Sequence, residues 1–500
     1  MEVGHQFKLN KMLNTNTEKK IYSWINGKED TSGDKSYFQK LDPHNLDVLS
    51  NTVISSEIEI NSAIDSAKKS FPLWSSFTPV KRGKLLYEFV NQIIKNKEFL
   101  AKIVAKETGK IFSHALGEVE GAISVGQFYA GEGQRLFSRS LTSGMENKHS
   151  HTVREPLGIC GLIVPANTPI ANITWKIFPA LICGNTVILK GSEDSPEIAF
   201  ELAKLSKVAG IPDGVFNTVN GFAEAGKLLV NDPRISLISF TGSTLVGKYI
   251  AENAGKRLAR VSLELGGKNP LIICDDADLE NAVKWCSLSA FSNAGQRCAS
   301  GSRIIIFSKI YDTFVDKFLE KAQSLKLGIS DDSDLGPVIN LKQFNNILDR
   351  IKEAKNDGAK ILCGGKKSES EELKNGLYIE PTIISEISKD AYLSRNEIFG
   401  PVVTIYKVNS VDEALKLAND SDYGLTSSVH TKNVDRAIWF SHKIRAGVVN
   451  INIGTYGSEP HMPFGGFGSS GNGTREPGTE ALDVYSELKN IQILVRENLI

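Results

Sequence analysis

Residues 159–190 read ICGLIVPANTPIANITWKIFPALICGNTVILK, and the fold is decided there. Ile159–Val164 is a short apolar run rich in β-branched residues, and Thr186–Leu189 is a second. Between them a loop pinned by Pro165 and Pro169 leads into residues 170–182, which carry helical spacing. Strand, helix and strand at this separation predict a parallel sheet with both faces covered.

The same alternation continues downstream. Val215–Val219, Leu237–Thr241 and Val261–Leu265 read as strands, with helices expected near 196–208, 222–230 and 244–254. A second block starts at Pro270 and runs through strands at Arg303–Phe307, Val402–Val408, Thr426–His430 and Val448–Ile451, with helices near 278–292, 311–323, 342–354, 411–419 and 433–442. Upstream, residues 56–130 read mainly as helices, with Ile58, Ile60, Ala63, Ile64 and Ala67 on one face and Leu85, Leu86, Phe89, Val90 and Ile93 on another. The expected class is α/β, with two parallel α/β domains and a small β arm.

Length supports the division, because 500 residues exceed the roughly 250–300 at which one core stops growing. Residues 21–134 and 157–265 are assigned to a Rossmann-like cofactor domain and 266–460 to a catalytic domain. Residues 135–156 and 478–500 are expected to form an oligomerisation arm and terminal strand, which invites a homodimer or homotetramer. The polar, lysine-rich residues 1–20 read as a flexible tail rather than a secretory signal.

Lys+Arg and Asp+Glu number 58 each, so bulk charge draws the chain to neither nucleic acid nor an anionic membrane. No run of apolar residues is long enough to span a bilayer. The six cysteines are scattered without a C-x-x-C pair, which predicts no metal site, no disulfide framework and a reducing, cytoplasmic setting.

Two glycine patterns mislead. Gly466-x-Gly468-x-x-Gly471 fits a dinucleotide fingerprint by letters but neither follows a buried strand nor opens an apolar helix. Gly242–Lys248 approaches a phosphate loop, yet Tyr249 stands where a magnesium-binding hydroxyl belongs. A better reading is that Gly242 and Ser243 begin a helix whose free N–H groups face a phosphate. Elsewhere, Glu264 ends an apolar strand beside Gly266 and Gly267. Cys298 follows Gly295 and Arg297 in what reads as an open, electropositive turn, a setting that lowers a thiol pKa. Asn167 sits in a rigid loop at a sheet edge, where an amide can donate to an oxyanion. Taken singly, each has a plain structural reading, as a salt-bridged Glu, a small buried Cys or a loop Asn.

Their combination resembles the aldehyde dehydrogenase superfamily from about residue 22 onward. The matches come in order: Pro165-Ala-Asn167-Thr-Pro169; Lys176-x-x-Pro-Ala-Leu-x-x-Gly184-Asn185; Lys190-x-x-Glu193; Phe240-Thr-Gly242-Ser243; Leu263-Glu264-Leu265-Gly-Gly-Lys268; Gly295-Gln-x-Cys298; Glu397-x-Phe399-Gly-Pro401; and Pro463-Phe464-Gly-Gly-Phe467. The resemblance implies that Cys298 is the nucleophile, that Asn167 and the Cys298 N–H hold the oxyanion, and that Glu264 is the general base. It further implies that Lys190 and Glu193 meet the adenosine ribose, that Gly242 and Ser243 carry the pyrophosphate, and that Glu397 binds the nicotinamide ribose with Leu265 and Phe399 near the ring. Lys176 matches a motif lysine placed near the ribose, in a supporting catalytic role. The implied cofactor is NAD, with NADP possible; Glu193 opposes a 2′-phosphate.

Two departures stand out: Gly191 where the family often has proline, and Gly468 where it often has a basic residue. A CoA-acylating relative is the alternative, but such enzymes often lack the base that Glu264 supplies. The substrate tunnel is expected to include Ala166, Thr168, Asn172, Trp175, Ser292, Arg297 and the loop 454–464, with Trp175 and Phe464 as aromatic walls. Polar Asn172 and cationic Arg297 suggest a small polar or acidic aldehyde such as 2-oxoglutarate semialdehyde; Arg297 in a structural salt bridge, and the carboxylate of Glu459, are the counter-indications.

Overall fold

The computed structural model describes residues 19–495, so most of the tail assigned to 1–20 and the last five residues of the arm lie outside the described residues. Two seven-stranded sheets dominate. In the first, Ile159–Ile163 lies at the centre, flanked in parallel by Thr186–Lys190 and Phe216–Val219 on one side and by Ile235–Thr241 and Arg260–Glu264 on the other. The chain therefore steps outward in one direction, returns, and steps outward in the other. Loops leaving Ile163 and Thr241 diverge at this reversal, which opens a crevice at the carboxyl ends of the strands. Asn167 is in the first loop, and Gly242 and Ser243 are in the second.

The helix that follows the first loop, Pro169–Ile182, has proline at its first position but no side-chain cap from Thr168. Its free N–H groups are met from another helix: Glu118 Oε1 accepts from Ile170 N at 3.0 Å and Ala171 N at 3.3 Å. At the other end Asn185 accepts from Leu157 N and Gly158 N and donates to Ala180 O and Tyr485 O.

The second sheet pairs Asn269–Ile273 with Gly301–Phe307 and Thr426–His430, and extends to Val402–Val408, Thr382–Ser385 and Val448–Ile451, all parallel. Lys360–Cys363 adds an antiparallel edge. Four residues, Leu265 to Lys268, carry the chain from the last strand of the first sheet into the middle of the second. The carboxyl edge of one sheet thus faces the amino edge of the other.

The strands expected in both blocks fall within a residue or two of their places. Several were not foreseen: Trp24–Ile25 and Lys28–Glu29 extend the first sheet, Lys20–Ile21, Ser36–Leu41 and Val48–Ile54 form a small sheet, and Lys360–Cys363 and Thr382–Ser385 belong to the second. Four helices, Glu57–Ser76, Pro79–Lys95, Lys97–Thr108 and Phe112–Glu132, fill the upstream helical region; Ile58, expected on the buried face of the first, is exposed in its opening turn. Ser486–Leu494 and Lys148–Pro156 pair antiparallel along nine residues, with Ser140–Leu141 on the far edge. No helix among the described residues is long and apolar enough to cross a membrane.

The inter-sheet link is held by Arg303, which is 2% exposed. Its guanidinium donates to Lys268 O at 3.1 Å and to the carbonyls of Leu417, Ala418 and Asp420 at 3.0, 2.8 and 3.1 Å. It therefore ties the link to the C-terminus of the Val411–Asn419 helix, where a cation is favoured. Arg303→Leu strips four buried carbonyls of their donor, and we expect a loss of about 3 kcal/mol. Thermal unfolding of the variant checks this; an unchanged midpoint would show the link to be held otherwise.

Candidate active site

The turn that carries Cys298 is built from left-handed backbone. Asn293, Ala294 and Gly295 have φ of 56°, 53° and 67°. A side chain at Gly295 would run into the Gly400 carbonyl, so the motif glycine is required by packing. Asn293 Nδ2 donates to Asn167 O at 3.2 Å and Gln296 O at 3.1 Å, and Gln296 bonds to Asn293, Pro337 and Ile339 backbone. These bonds offset the strain of the turn. They also lock it to the Asn167 loop, because Asn167 Nδ2 donates to Gln296 O at 3.0 Å.

One cavity of about 900 Å³ lies between the facing sheet edges. Its walls bring together Cys298, Asn167 and Glu264 with Gly242, Ser243, Leu265, Glu397 and Phe399, and also Asn172, Trp175, Arg297 and Phe464. Ala166 and Ser292 stay out of the lining, a correction to the expected tunnel. Lys190 and Glu193 lie beyond the cavity, further along the same strand edge, with their charged ends 3.7 Å apart.

Glu264 is buried and neither carboxylate oxygen has a hydrogen-bond partner. Burial, then the nearby Glu476 carboxylate, push its pKa well above the usual range, against the pull of Lys176 and Arg475. Lys176 does not line the cavity. It is buried behind Glu264, donating to Glu476 Oε2 at 2.6 Å and Ser239 Oγ at 2.8 Å, so its expected placement is corrected to a supporting ion pair. The glycine-rich segment 466–471, which matches a fingerprint by letters alone, is a strap on the same strand end: Ser470 O accepts from Leu265 N, and Ser470 Oγ donates to Gly266 O. Gly247 is small because the Leu265 side chain rests on it; an added Cβ would come within 2.6 Å.

The expected thiol environment is also corrected. Arg297 does pull the Cys298 pKa down, but burial outweighs it, aided by Glu397 and Glu264, and the thiol is pushed up to about 12. Arg297 itself makes no ion pair among the described residues. It stacks over Tyr456 at 5.0 Å, and its Nε is buried without a partner. Asn172 lines the cavity, yet its amide donates to Thr168 O and Thr168 Oγ1 at 2.9 Å each, so it braces the loop. Trp175 and Phe464 meet edge to face at 5.5 Å. Glu459 at the rim bonds to His461 at 3.2 Å.

Sequence reading missed Lys110, His114 and Glu118, which also line the cavity, together with Tyr456 of the expected loop 454–464. His114 and Glu118 lie four residues apart on one face of the Phe112–Glu132 helix, and Lys110 stands just before its start. Lys110 pairs with Glu118, the residue that caps the Asn167 helix.

Glu397 accepts from Gly267 N at 3.2 Å, and burial raises its pKa from 4.5 to about 7. A carboxyl raised in this way holds its proton longer in the folded state, so stability falls as pH climbs from about 4.5 to about 7. Glu397→Gln keeps the acceptor and removes the titration. The melting temperature of the variant minus that of the wild type should rise across that window and level off above it; a flat difference would contradict the assignment.

Comparison with known proteins agrees with this geometry. The chain matches the Aldehyde dehydrogenase family over residues 29–491. It is 39% identical over 462 residues to an aldehyde dehydrogenase of Emericella nidulans, covering 91% of each chain. It is 35% identical to the alpha-ketoglutaric semialdehyde dehydrogenase of Bacillus subtilis, covering 95% of this chain and 98% of that one. A crystal structure of betaine aldehyde dehydrogenase from Staphylococcus aureus in complex with NAD+ superposes with a TM-score of 0.93 at 32% identity, covering 98% of both chains. The chain belongs to the aldehyde dehydrogenase family.

Proposed function

We propose that this family member oxidises a small polar or acidic aldehyde, of the kind exemplified by 2-oxoglutarate semialdehyde, to its carboxylic acid through a thioester on Cys298, with NAD(P) as acceptor. The observation that carries the reading is the convergence of Cys298, Asn167 and Glu264 on one cavity from three distant segments. The Cys298 sulfur attacks the aldehyde carbon to give a thiohemiacetal. The oxyanion needs donors already in place. Asn167 Nδ2 gives one hydrogen to Gln296 O and has a second to offer; the Cys298 N–H is the other donor. The nicotinamide, when bound, supplies the hydride acceptor. Glu264 then takes a proton from water, which attacks the thioester and releases the acid and the thiol. Its unpartnered, buried carboxylate has the raised proton affinity that suits a base acting on water. Water as acyl acceptor is favoured over CoA for the same reason.

The residues present fit the cofactor. Ser243 caps the Thr244–Gly255 helix, whose first turn faces the cavity end, and Leu245 beside it is 80% exposed, an apolar surface suited to a planar base. A side chain at Gly266 would strike the Glu397 carboxylate, so glycine leaves that carboxylate room to meet a ribose hydroxyl. Lys190 and Glu193 extend the groove, and the half-exposed Glu193 carboxylate favours NAD over NADP. The unpaired Arg297 is the anchor for an anionic substrate group. Pairing of copies is supported by the Ser486–Leu494 strand, which forms a sheet edge with Leu488, Ile493 and Leu494 exposed.

Glu264→Gln should still give a first-turnover burst of NADH, with steady turnover reduced on the order of 100-fold or more. Stopped-flow absorbance at the NADH band separates the phases; a wild type that forms no NADH with any aldehyde overturns the reading. Arg297→Ala should lower kcat/KM for acidic aldehydes about tenfold more than for neutral ones of equal length. An unchanged ratio removes the acidic substrate class.

A further inference from the structure

Asn269 lies outside the cavity and is 1% exposed, at the first position of the strand that receives the inter-sheet link. Its side chain makes three hydrogen bonds. Nδ2 donates to Cys298 O at 2.7 Å and to Ser300 O at 2.8 Å, and Oδ1 accepts from Thr426 N at 3.1 Å. The third bond fixes which face of the amide points at Cys298, because an acceptor is needed toward Thr426 and donors toward the two carbonyls.

Four successive carbonyls in the nucleophile turn are held. Arg297 O accepts from Ser300 N at 3.0 Å, Ala299 O from Thr455 Oγ1 at 2.6 Å, and Cys298 O and Ser300 O from Asn269. The two peptide planes that flank the Cys298 Cα are therefore both fixed, one by Ser300 and one by Asn269. Fixing both planes fixes φ and ψ of Cys298, and with them the directions of its N–H and its Cβ. The plane held by Asn269 also contains the Ala299 N–H, which points opposite to the Cys298 carbonyl and acts to lower the proton affinity of the Cys298 sulfur. Gly267 leaves room for this contact: a Cβ there would come within 2.6 Å of Cys298 O and 2.7 Å of Asn269 Oδ1.

We propose that Asn269 is a positioning residue for the nucleophile, holding the Cys298–Ala299 peptide so that the Ala299 N–H serves the thiolate while the Cys298 N–H faces the oxyanion. This rests on Cys298 being the nucleophile, as proposed above. Asn269 touches neither substrate nor cofactor. It acts through one peptide plane, and it does so from the segment that also carries Glu264, so base and nucleophile share a rigid connection.

The test is the rate of Cys298 alkylation by iodoacetamide in the full-length protein, followed by peptide mapping, beside kcat and KM. Asn269→Asp keeps shape and puts an acceptor where a donor is needed. It should slow alkylation about tenfold or more at a fixed pH below the thiol's own titration, since the N–H that favours the thiolate is misaimed. It should lower kcat on the order of 100-fold with KM for NAD+ little changed. Asn269→Ser, which keeps a hydroxyl donor, should recover part of both. A folded Asn269→Asp protein with wild-type alkylation rate and kcat overturns the proposal. Should the Asn269 variants fail to fold, Gly267→Ala presses on the same contact, and an unchanged alkylation rate there overturns it equally. Alkylation needs no aldehyde, so a protein that turned over no aldehyde would refute the proposed function without deciding this test.

Discussion

Everything in the site depends on a link of four residues. Leu265 to Lys268 leave one sheet and enter the other, and two of the four are glycines whose missing side chains are filled by neighbours: the Glu397 carboxylate against Gly266, and the Cys298 carbonyl against Gly267. Chain this short cannot loop away and return. The base at its start and the strand beside the nucleophile at its end are consequently held at a fixed separation, and the two sheets meet as one surface. The bonds from Arg303 to Lys268 O and from Ser470 to Leu265 N and Gly266 O close the remaining freedom.

A stability-optimised interior would not bury these carboxyls. Glu264 has no hydrogen-bond partner, Glu397 has one backbone N–H, and Glu476 collects Lys176, Ser239, Ser262 and Tyr485. Unpartnered polar atoms in a native interior are uncommon, and they mark places where another demand outweighs stability. Here the fully satisfied carboxylate sits behind the site and the unsatisfied one faces it. A base that already accepted strong hydrogen bonds would be a poor acceptor for the proton of water.

Much of this was legible in the sequence, and the physical reason is locality. The strands announced themselves because central parallel strands are buried on both faces and so read as unbroken β-branched runs. Trp24–Ile25 and Lys28–Glu29 did not, since two residues leave no periodicity. Cys298, Asn167 and Glu264 were found through ordered motifs, and the structure explains the small residues around them by close backbone approach. What local reading could not supply was partnership across the chain. Lys176 meets Glu476, which lies 300 residues away; Asn269 reaches a carbonyl 29 residues on; Arg297, expected to activate its neighbour, is outweighed by burial, to which carboxylates from two other segments add. His114, in the Phe112–Glu132 helix, and Lys110, just before it, belong to the cavity because that helix packs beside the helix after Asn167.

The raised proton affinity of Cys298 has a bearing on chemical durability. Cys160, Cys183, Cys274 and Cys286 are buried, and Cys363 is half-buried with its sulfur 3.5 Å from the Pro381 carbonyl. Cys298 alone among the six opens onto a cavity wide enough to admit small electrophiles and peroxides. Because oxidation and adduct formation run through the thiolate, the burial that raises the proton affinity of this sulfur also slows its loss to electrophiles and peroxides.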